Sequence, residues 1–211
     1  MRGLVINGRD DGTSDEARLR HAQGVCEQLG WDCERSPAVF ASGNGAERME
    51  ACGRVPQNTT QRHEAGVWIA HRDAWSAAAK NSGPTMILED DVDMPAKIDA
   101  EQVHSTVSEF LQKKSDVAFV GDYLTAYRLT PSTAQWLVDN TSDCSYQTET
   151  AVDHFLFREC AVRRYSDRLQ NLVCTVAADW PQNAFGENQV CGYGVPCRSL
   201  LPQTTDFASY R

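Results

Sequence analysis

Short apolar runs that stop on polar residues, with helical spacing between them, constrain this chain more than any other feature. Leu4-Val5-Ile6 gives way to a polar stretch from Arg9 to Ser14. Leu19, Ala22, Cys26 and Leu29 then recur every three or four residues, and Gly30 follows. Such a run reads as a buried strand, and such a spacing as one face of a helix. Thr13 and Glu16 have the separation of a capping box at the helix start, and Gly30 is a stop. Trp31 to Val39 reads as a second strand, which completes a β-α-β opening.

The alternation continues. A helix is predicted from about Arg62 to Lys80, broken by Gly83-Pro84, and Thr85-Met86-Ile87-Leu88 is a strand that halts at Glu89-Asp90-Asp91. Val103, Val107, Phe110 and Leu111 mark a third helix, and Val117 to Val120 another buried strand. Tyr123 to Leu129 reads as a strand, and Pro131 to Val138 as a short helix with Pro131 in its first turn. Ala41 to Gln61 reads as loop, Ala151 to Leu172 as helical but mixed, and the tail from Asn183 as irregular. Strands alternating with helices predict an α/β fold with a mainly parallel sheet and helices on both faces. The 211 residues form one domain, 1–211, on this reading.

Composition sets limits on function. With 20 Lys+Arg against 29 Asp+Glu the formal net charge is −9, which argues against nucleic acid as the main partner. A small anion held through a divalent cation remains compatible with it. No apolar run is long enough for a transmembrane helix, and the start Met1-Arg2-Gly3-Leu4-Val5-Ile6 is too short for a signal peptide. A cytoplasmic location is the expectation, with a luminal or secreted one left open by eight cysteines. No Cys-x-x-Cys pair occurs, which leaves zinc-ribbon and thioredoxin readings without support. Buried thiols and disulfides both fit the pattern. The cysteine-free gap from Cys52 to Cys144 contains the helix of residues 62–80 and the acidic strand end, so any disulfides are expected to brace the flanks of the fold.

Two features carry chemistry. Glu89-Asp90-Asp91-Val92-Asp93 follows an apolar strand directly. Ligands of open α/β sheets bind beyond the carboxyl ends of strands, and clustered carboxylates there are hard ligands for Mg²⁺ or Mn²⁺. The plainer reading is a solvated turn. On the preceding helix, Glu64, Val67/Trp68, His71 and Trp75 are spaced to share one face. From spacing alone, His71 reads first as a core histidine bonded to a neighbour.

These segments resemble glycosyltransferase family 25, which contains the lipooligosaccharide and collagen galactosyltransferases. Glu64-Ala65-Gly66-Val67-Trp68-Ile69-Ala70-His71-Arg72-Asp73-Ala74-Trp75 followed by Ile87-Leu88-Glu89-Asp90-Asp91 carries most of the resemblance. Leu4-Val5-Ile6-Asn7, Arg35 to Val39, Gly121 to Pro131 with Ala126-Tyr127, Val152-Asp153-His154, and Leu201-Pro202-Gln203 with Ser209 are similar to further family blocks, in order. Gly8, Val67 and Ala70 stand where the family has Leu, Cys and Ser.

The resemblance implies a GT-A type, Rossmann-like fold, a nucleotide-sugar donor such as a UDP-hexose, Mn²⁺ (or Mg²⁺), and inverting transfer of a hexose, galactose or glucose, to a glycan or glycoprotein hydroxyl. It places the donor on Glu89 and Asp90 and the metal on Asp91 and Glu89, with His154 either a third ligand or a partner behind the ligands; Asn7, at the end of the first strand, is placed to touch the nucleotide, a simple turn residue being its plainer reading. Asp91-Val92-Asp93 is a competing frame for the metal motif. Inverting displacement needs a base for the acceptor hydroxyl; Asp153 is the candidate, and His71 joins it in the catalytic set. A helix N-terminal acid is the plainer reading of Asp153. Two other functions stay in view. One is a metal-dependent phosphohydrolase built on Asp91-Val92-Asp93, which that motif's mid-chain position and the following Met94-Pro95 oppose. The other is an inactive glycan-binding module.

Overall fold

The computed structural model describes residues 1–9, 13–53, 58–94, 100–112, 116–120, 125–148, 151–153, 155–156, 174–176, 190–191, 195–196 and 198–199. It is an α/β fold whose main sheet has six strands. The chain opens with β1 (Arg2–Asn7), α1 (Glu16–Gln28) and β2 (Asp32–Pro37), then α2 (Ala46–Ala51) and the long α3 (Thr59–Ala78). β3 (Thr85–Glu89), β4 (Val92–Asp93), α4 (Ala100–Gln112), β5 (Val117–Phe119), β6 (Ala126–Leu129) and α5 (Pro131–Asn140) follow, then a 3-10 turn, Asp143–Gln147. The short strands β7 (Cys174–Val176), β8 (Val190–Cys191), β9 (Val195–Pro196) and β10 (Arg198–Ser199) come last.

Main-sheet order is β2-β1-β3-β6-β5-β7. β1 runs parallel to both neighbours, and β5 runs parallel to β7. β6 is antiparallel to β3 and to β5, so the sheet is mainly parallel with one reversed strand at its centre. Composition follows position. β1, central and covered on both faces, is apolar from Leu4 to Ile6 and buried from Gly3 on. β2, at the edge, reads Asp-Cys-Glu-Arg-Ser-Pro and is largely exposed.

Helices cover both faces. On one, α3 and α5 bury Trp68, Ile69, Trp75, Ala134 and Leu137 against Leu4, Ile6, Ile87 and Tyr127. On the other, α1 and α4 bury Leu19, Val25, Val103 and Val107 against Val5, Met86, Leu88 and Ala118. Consecutive strand residues point to opposite faces, which is why Leu4 and Val5 fall in different cores. Gly66 lets α3 approach the sheet side of the chain, since a Cβ there would collide with the Val39 carbonyl oxygen.

Several boundaries differ from the sequence reading. Asp15, not Thr13, caps α1, its side chain accepting from Arg18 N. α3 starts at Thr59, three residues before Arg62, because Asn58 caps it through Gln61 N. The expected loop 41–61 contains α2, a helix of 6 residues with one buried side chain, Met49, and hence no readable periodicity. The tail expected to be irregular contains β8 to β10, of which β10 pairs with β4. The mixed helical stretch is helical at 152–153 and 155–156, and its remainder to Leu172 lies outside the described residues.

Two disulfides, Cys26–Cys33 and Cys52–Cys144, resolve the open question for four cysteines. The first ties α1 to β2. The second ties the end of α2 to the 3-10 turn, across a sequence separation of 92. The cysteine-free gap is therefore bridged in space, and the bond encloses α3 and the acidic strand end rather than standing apart from them. Around that bond, Arg48 of α2 makes a two-pronged pair with Asp73 of α3 (2.6 and 2.8 Å) and another with Asp143 of the turn (2.7 and 2.9 Å). Arg72 adds a contact to Asp143 at 3.1 Å. These arginines hold the Asp143 carboxyl below the usual carboxylate range, the bonds from Arg48 contributing most.

Candidate functional site

The site lies beside β1, where the crossovers on its two sides part to opposite faces of the sheet. α1, between β1 and β2, covers one face; α3, between β2 and β3, covers the other. Adjacent parallel strands whose crossovers go to opposite faces open a crevice beyond their carboxyl ends, the usual ligand position in such sheets. The crevice between β1 and β3 is bordered by Asn7 and by the turn Glu89-Asp90-Asp91. The register pairs Ile6 with Glu89.

Alternation along β3 splits the acidic triplet. Glu89 continues the face of Ile87 and meets α3, where His71 Nε2 lies 3.4 Å from Glu89 Oε1. Asp90 turns to the other side. It accepts from Asn7 Nδ2 at 2.7 Å and pairs with Arg18 of α1 at 2.7 Å. Burial pushes the Asp90 carboxyl up to about 6, with Arg18 and Asn7 opposing that rise. Asp91 is half-buried, with Oδ1 out of solvent contact. Asp93, the end of the competing frame, accepts from Met94 N at 2.8 Å and faces His21 of α1 at 3.4 Å.

Asn7 is fully buried, and its side chain is committed within the protein. Nδ2 donates to Asp90 and to Asp15 O (3.1 Å), while Oδ1 accepts from Ser14 Oγ and Asp15 N, both at 3.1 Å. Its carbonyl accepts from Ala38 N and Arg35 Nε. Asn7 and Asp90, expected on the nucleotide, therefore fasten the end of β1, the start of α1 and the acidic turn to one another. They border the crevice, and their polar atoms face inward.

His71 is 1% exposed. Nδ1 lies 2.7 Å from Tyr127 Oη, which also receives Trp75 Nε1–H at 2.9 Å. Expected among the catalytic residues, His71 is buried, and among the described residues it meets the crevice through the Glu89 carboxylate. Glu64, placed by spacing on the same helix face, is exposed about two turns earlier. Asp153 is half-buried on the segment whose Val152, Phe155 and Leu156 pack onto the core under α3; Phe155 meets Trp68 edge-on at 5.1 Å between ring centroids. His154 lies outside the described residues.

Spacing alone does not single out Tyr127 or Arg18, which the structure brings to His71 and Asp90. Tyr127 sits in the Ala-Tyr segment of the family resemblance, which is the signal that points to it. Arg18 looks like any other charge on the outer face of an amphipathic helix.

No protein-family model matches the chain, and no curated protein matches it. Among solved structures, a putative glucose-1-phosphate thymidylyltransferase from Bacillus anthracis, in complex with a sucrose, is similar at TM-score 0.43 and 10% identity, over 83% of this chain and 85% of that chain.

Proposed function

We propose that this chain is a metal-dependent glycosyltransferase that moves a hexose from a nucleotide-diphosphate sugar, a UDP-hexose, to a hydroxyl of a glycan or glycoprotein with inversion. The observation that carries the reading is the acidic turn at the carboxyl end of β3, beside the point where the crossovers diverge. The family 25 resemblance of the same segments supports it.

Among the described residues no group of three or more His, Cys, Asp or Glu could hold a metal ion. Glu89 and Asp91 supply hard oxygen donors from one turn, which suits Mg²⁺ or Mn²⁺, ions that keep one or two protein carboxylates and take the rest of their shell from phosphates and water. A cation bound there would act as a Lewis acid on the charge of the diphosphate leaving group. In this reading Asp91 is a direct ligand, Glu89 reaches metal or ribose, and His154 is the candidate third ligand. Asp153 accepts the proton of the acceptor hydroxyl. Asn7, Asp90 and Arg18 keep the turn in place.

The test is thermal denaturation with UDP-, GDP- and CMP-sugars, each with and without Mn²⁺, on wild type and Asp91→Ala. One nucleotide sugar, at a hundredfold excess over its Kd, stabilises wild type by about 2.7 kcal/mol, or roughly 5–10 °C, only with Mn²⁺. Asp91→Ala abolishes that shift. A protein that ignores every nucleotide sugar but cleaves a phosphomonoester would be a phosphohydrolase and the reading would be wrong.

A further inference from the structure

We propose that Trp75, Tyr127 and His71 form a one-way chain of hydrogen-bond donors that holds His71 as its Nε2–H tautomer and thereby orients the Glu89 carboxylate. The use made of Glu89 rests on the proposed function; the direction of the chain follows from donor chemistry alone.

The direction is set at the buried end. An indole N–H only donates, so Trp75 Nε1 gives its proton to Tyr127 Oη, 2.9 Å away. Tyr127 is fully buried. Burial also pushes its phenol well above the ordinary tyrosine range, so the hydroxyl keeps its proton. A buried hydroxyl proton needs an acceptor, and the one in reach among the described residues is His71 Nδ1 at 2.7 Å. Nδ1 therefore accepts, and the ring proton sits on Nε2. That nitrogen faces Glu89 Oε1 at 3.4 Å, long for a charge-assisted bond but correctly signed. The opposite tautomer would set a lone pair against a carboxylate oxygen and strand the Tyr127 proton. An imidazolium would serve Glu89 and still strand that proton.

The fold explains why these groups meet. His71 and Trp75 are four apart on α3 and so share a face. Antiparallel β6 sets Tyr127 opposite Ile87, on the same face of β3 as Glu89 two residues later. The His71 and Tyr127 rings stack at 5.8 Å with planes 25° apart, which limits rotation of the imidazole. The reversed strand thus delivers a hydroxyl beneath α3. His71 is accordingly a positioning residue: it fixes one oxygen of Glu89 and with it the rotation of the whole carboxylate.

The experiment is ¹⁵N NMR of the imidazoles in the full chain, metal-free and at neutral pH, with His71 assigned through its contact to the Tyr127 ring. The expected spectrum has an unprotonated Nδ1 and a protonated Nε2. Tyr127→Phe keeps the ring, removes the hydroxyl and moves the Nδ1 signal to that of an acceptor without its donor, while Tyr127→Phe with Glu89→Gln moves both signals toward a tautomer average. Glu89→Gln leaves them in place, because the direction is set from Trp75. An Nδ1–H or imidazolium signature in wild type overturns the proposal, as does a tautomer flip on Glu89→Gln. In a second measurement, Tyr127→Phe and Trp75→Phe weaken Mn²⁺-dependent nucleotide-sugar affinity by about 10- to 100-fold. If the Nδ1 signal moves and affinity does not, the positioning role is wrong. If wild type shows the tautomer but binds no nucleotide sugar, the donor chain stands and the transferase reading fails. Should Tyr127→Phe not fold, the wild-type spectrum still decides the tautomer.

Discussion

Consecutive residues of α3 face two clusters of charge built to opposite rules. His71 looks into the acidic turn after β3; Arg72 and Asp73 look into the cluster around Arg48. In the second cluster Arg48 meets Asp73 and Asp143 in short, two-pronged contacts, Arg72 adds a single bond to Asp143, and a disulfide covers the joint. Formal charge cancels there. At the turn, Asp15, Glu89, Asp90 and Asp91 gather near Arg9 and Arg18, and acid is in excess. Desolvated charge of one sign raises carboxyl values and opposes folding unless something positive arrives. The contrast separates a joint whose charges cancel from a turn that keeps acid in excess.

The largest effect that tests this contrast is loss of the Cys52–Cys144 bond. By the chain-entropy model, Cys52→Ser with Cys144→Ser lowers stability by about 4–5 kcal/mol, and Cys26→Ser with Cys33→Ser by about 2 kcal/mol, since the first closes a far longer loop. Denaturant midpoints for the two double variants check the ranking. If they match, the Arg48 joint is not where stability is concentrated.

Removing one arginine from each cluster comes next. Arg48→Ala leaves two aspartates without their guanidinium and costs about 2–3 kcal/mol, below a fully buried pair because the joint is partly exposed. Arg18→Ala costs about 1 kcal/mol, because Asp90, already pushed up to about 6, relieves itself by taking a proton. Equal losses in urea titrations would erase the distinction.

The smallest effect has the sharpest sign. At neutral pH, Asp143→Asn destabilises, because it gives up the two-pronged bond from Arg48, and Asp90→Asn stabilises by about 1 kcal/mol. Asp143 has a depressed folded value, so its contribution is present above its unfolded value of 3.8 and is lost as pH falls below that. Asp90 has a raised folded value, so stability declines as pH climbs from 3.8 through about 6. Melting temperature against pH should lose its acid limb in Asp143→Asn and its upper limb in Asp90→Asn. The same slope in both variants would mean that the two carboxylates do not differ.

Much of the fold is legible in the residues because its signals are local. Leu4 to Ile6, the α1 periodicity and the Thr85–Leu88 run each declare their burial within a few positions. The reversed β6 is not legible, since Ala126 to Leu129 would be equally apolar in either direction. The site was legible as a place and not as a set of bonds. Glu89-Asp90-Asp91 stands out as a triplet. Which carboxylate turns to His71 and which to Arg18 depends on the pleat and on where β3 ends. Asn7 looks like a strand-end ligand group for the same reason: its partners lie 8 and 83 residues away, and no spacing rule links them. Cysteine partners are likewise a matter of topology, as Cys52 and Cys144 are neighbours only after everything between them has folded.

That last fact orders events in time. Cys26 can find Cys33 as soon as one helix and one strand have met. Cys144 emerges long after Cys52, and the two thiols come together natively only when α3, the centre of the sheet and α5 are in place. Early oxidation of Cys52 with any other thiol would trap a chain that must be reshuffled, which takes seconds to hours against microseconds for a helix. The Cys52–Cys144 bond is in this sense a completion mark, and a chain that carries it has already built the crevice.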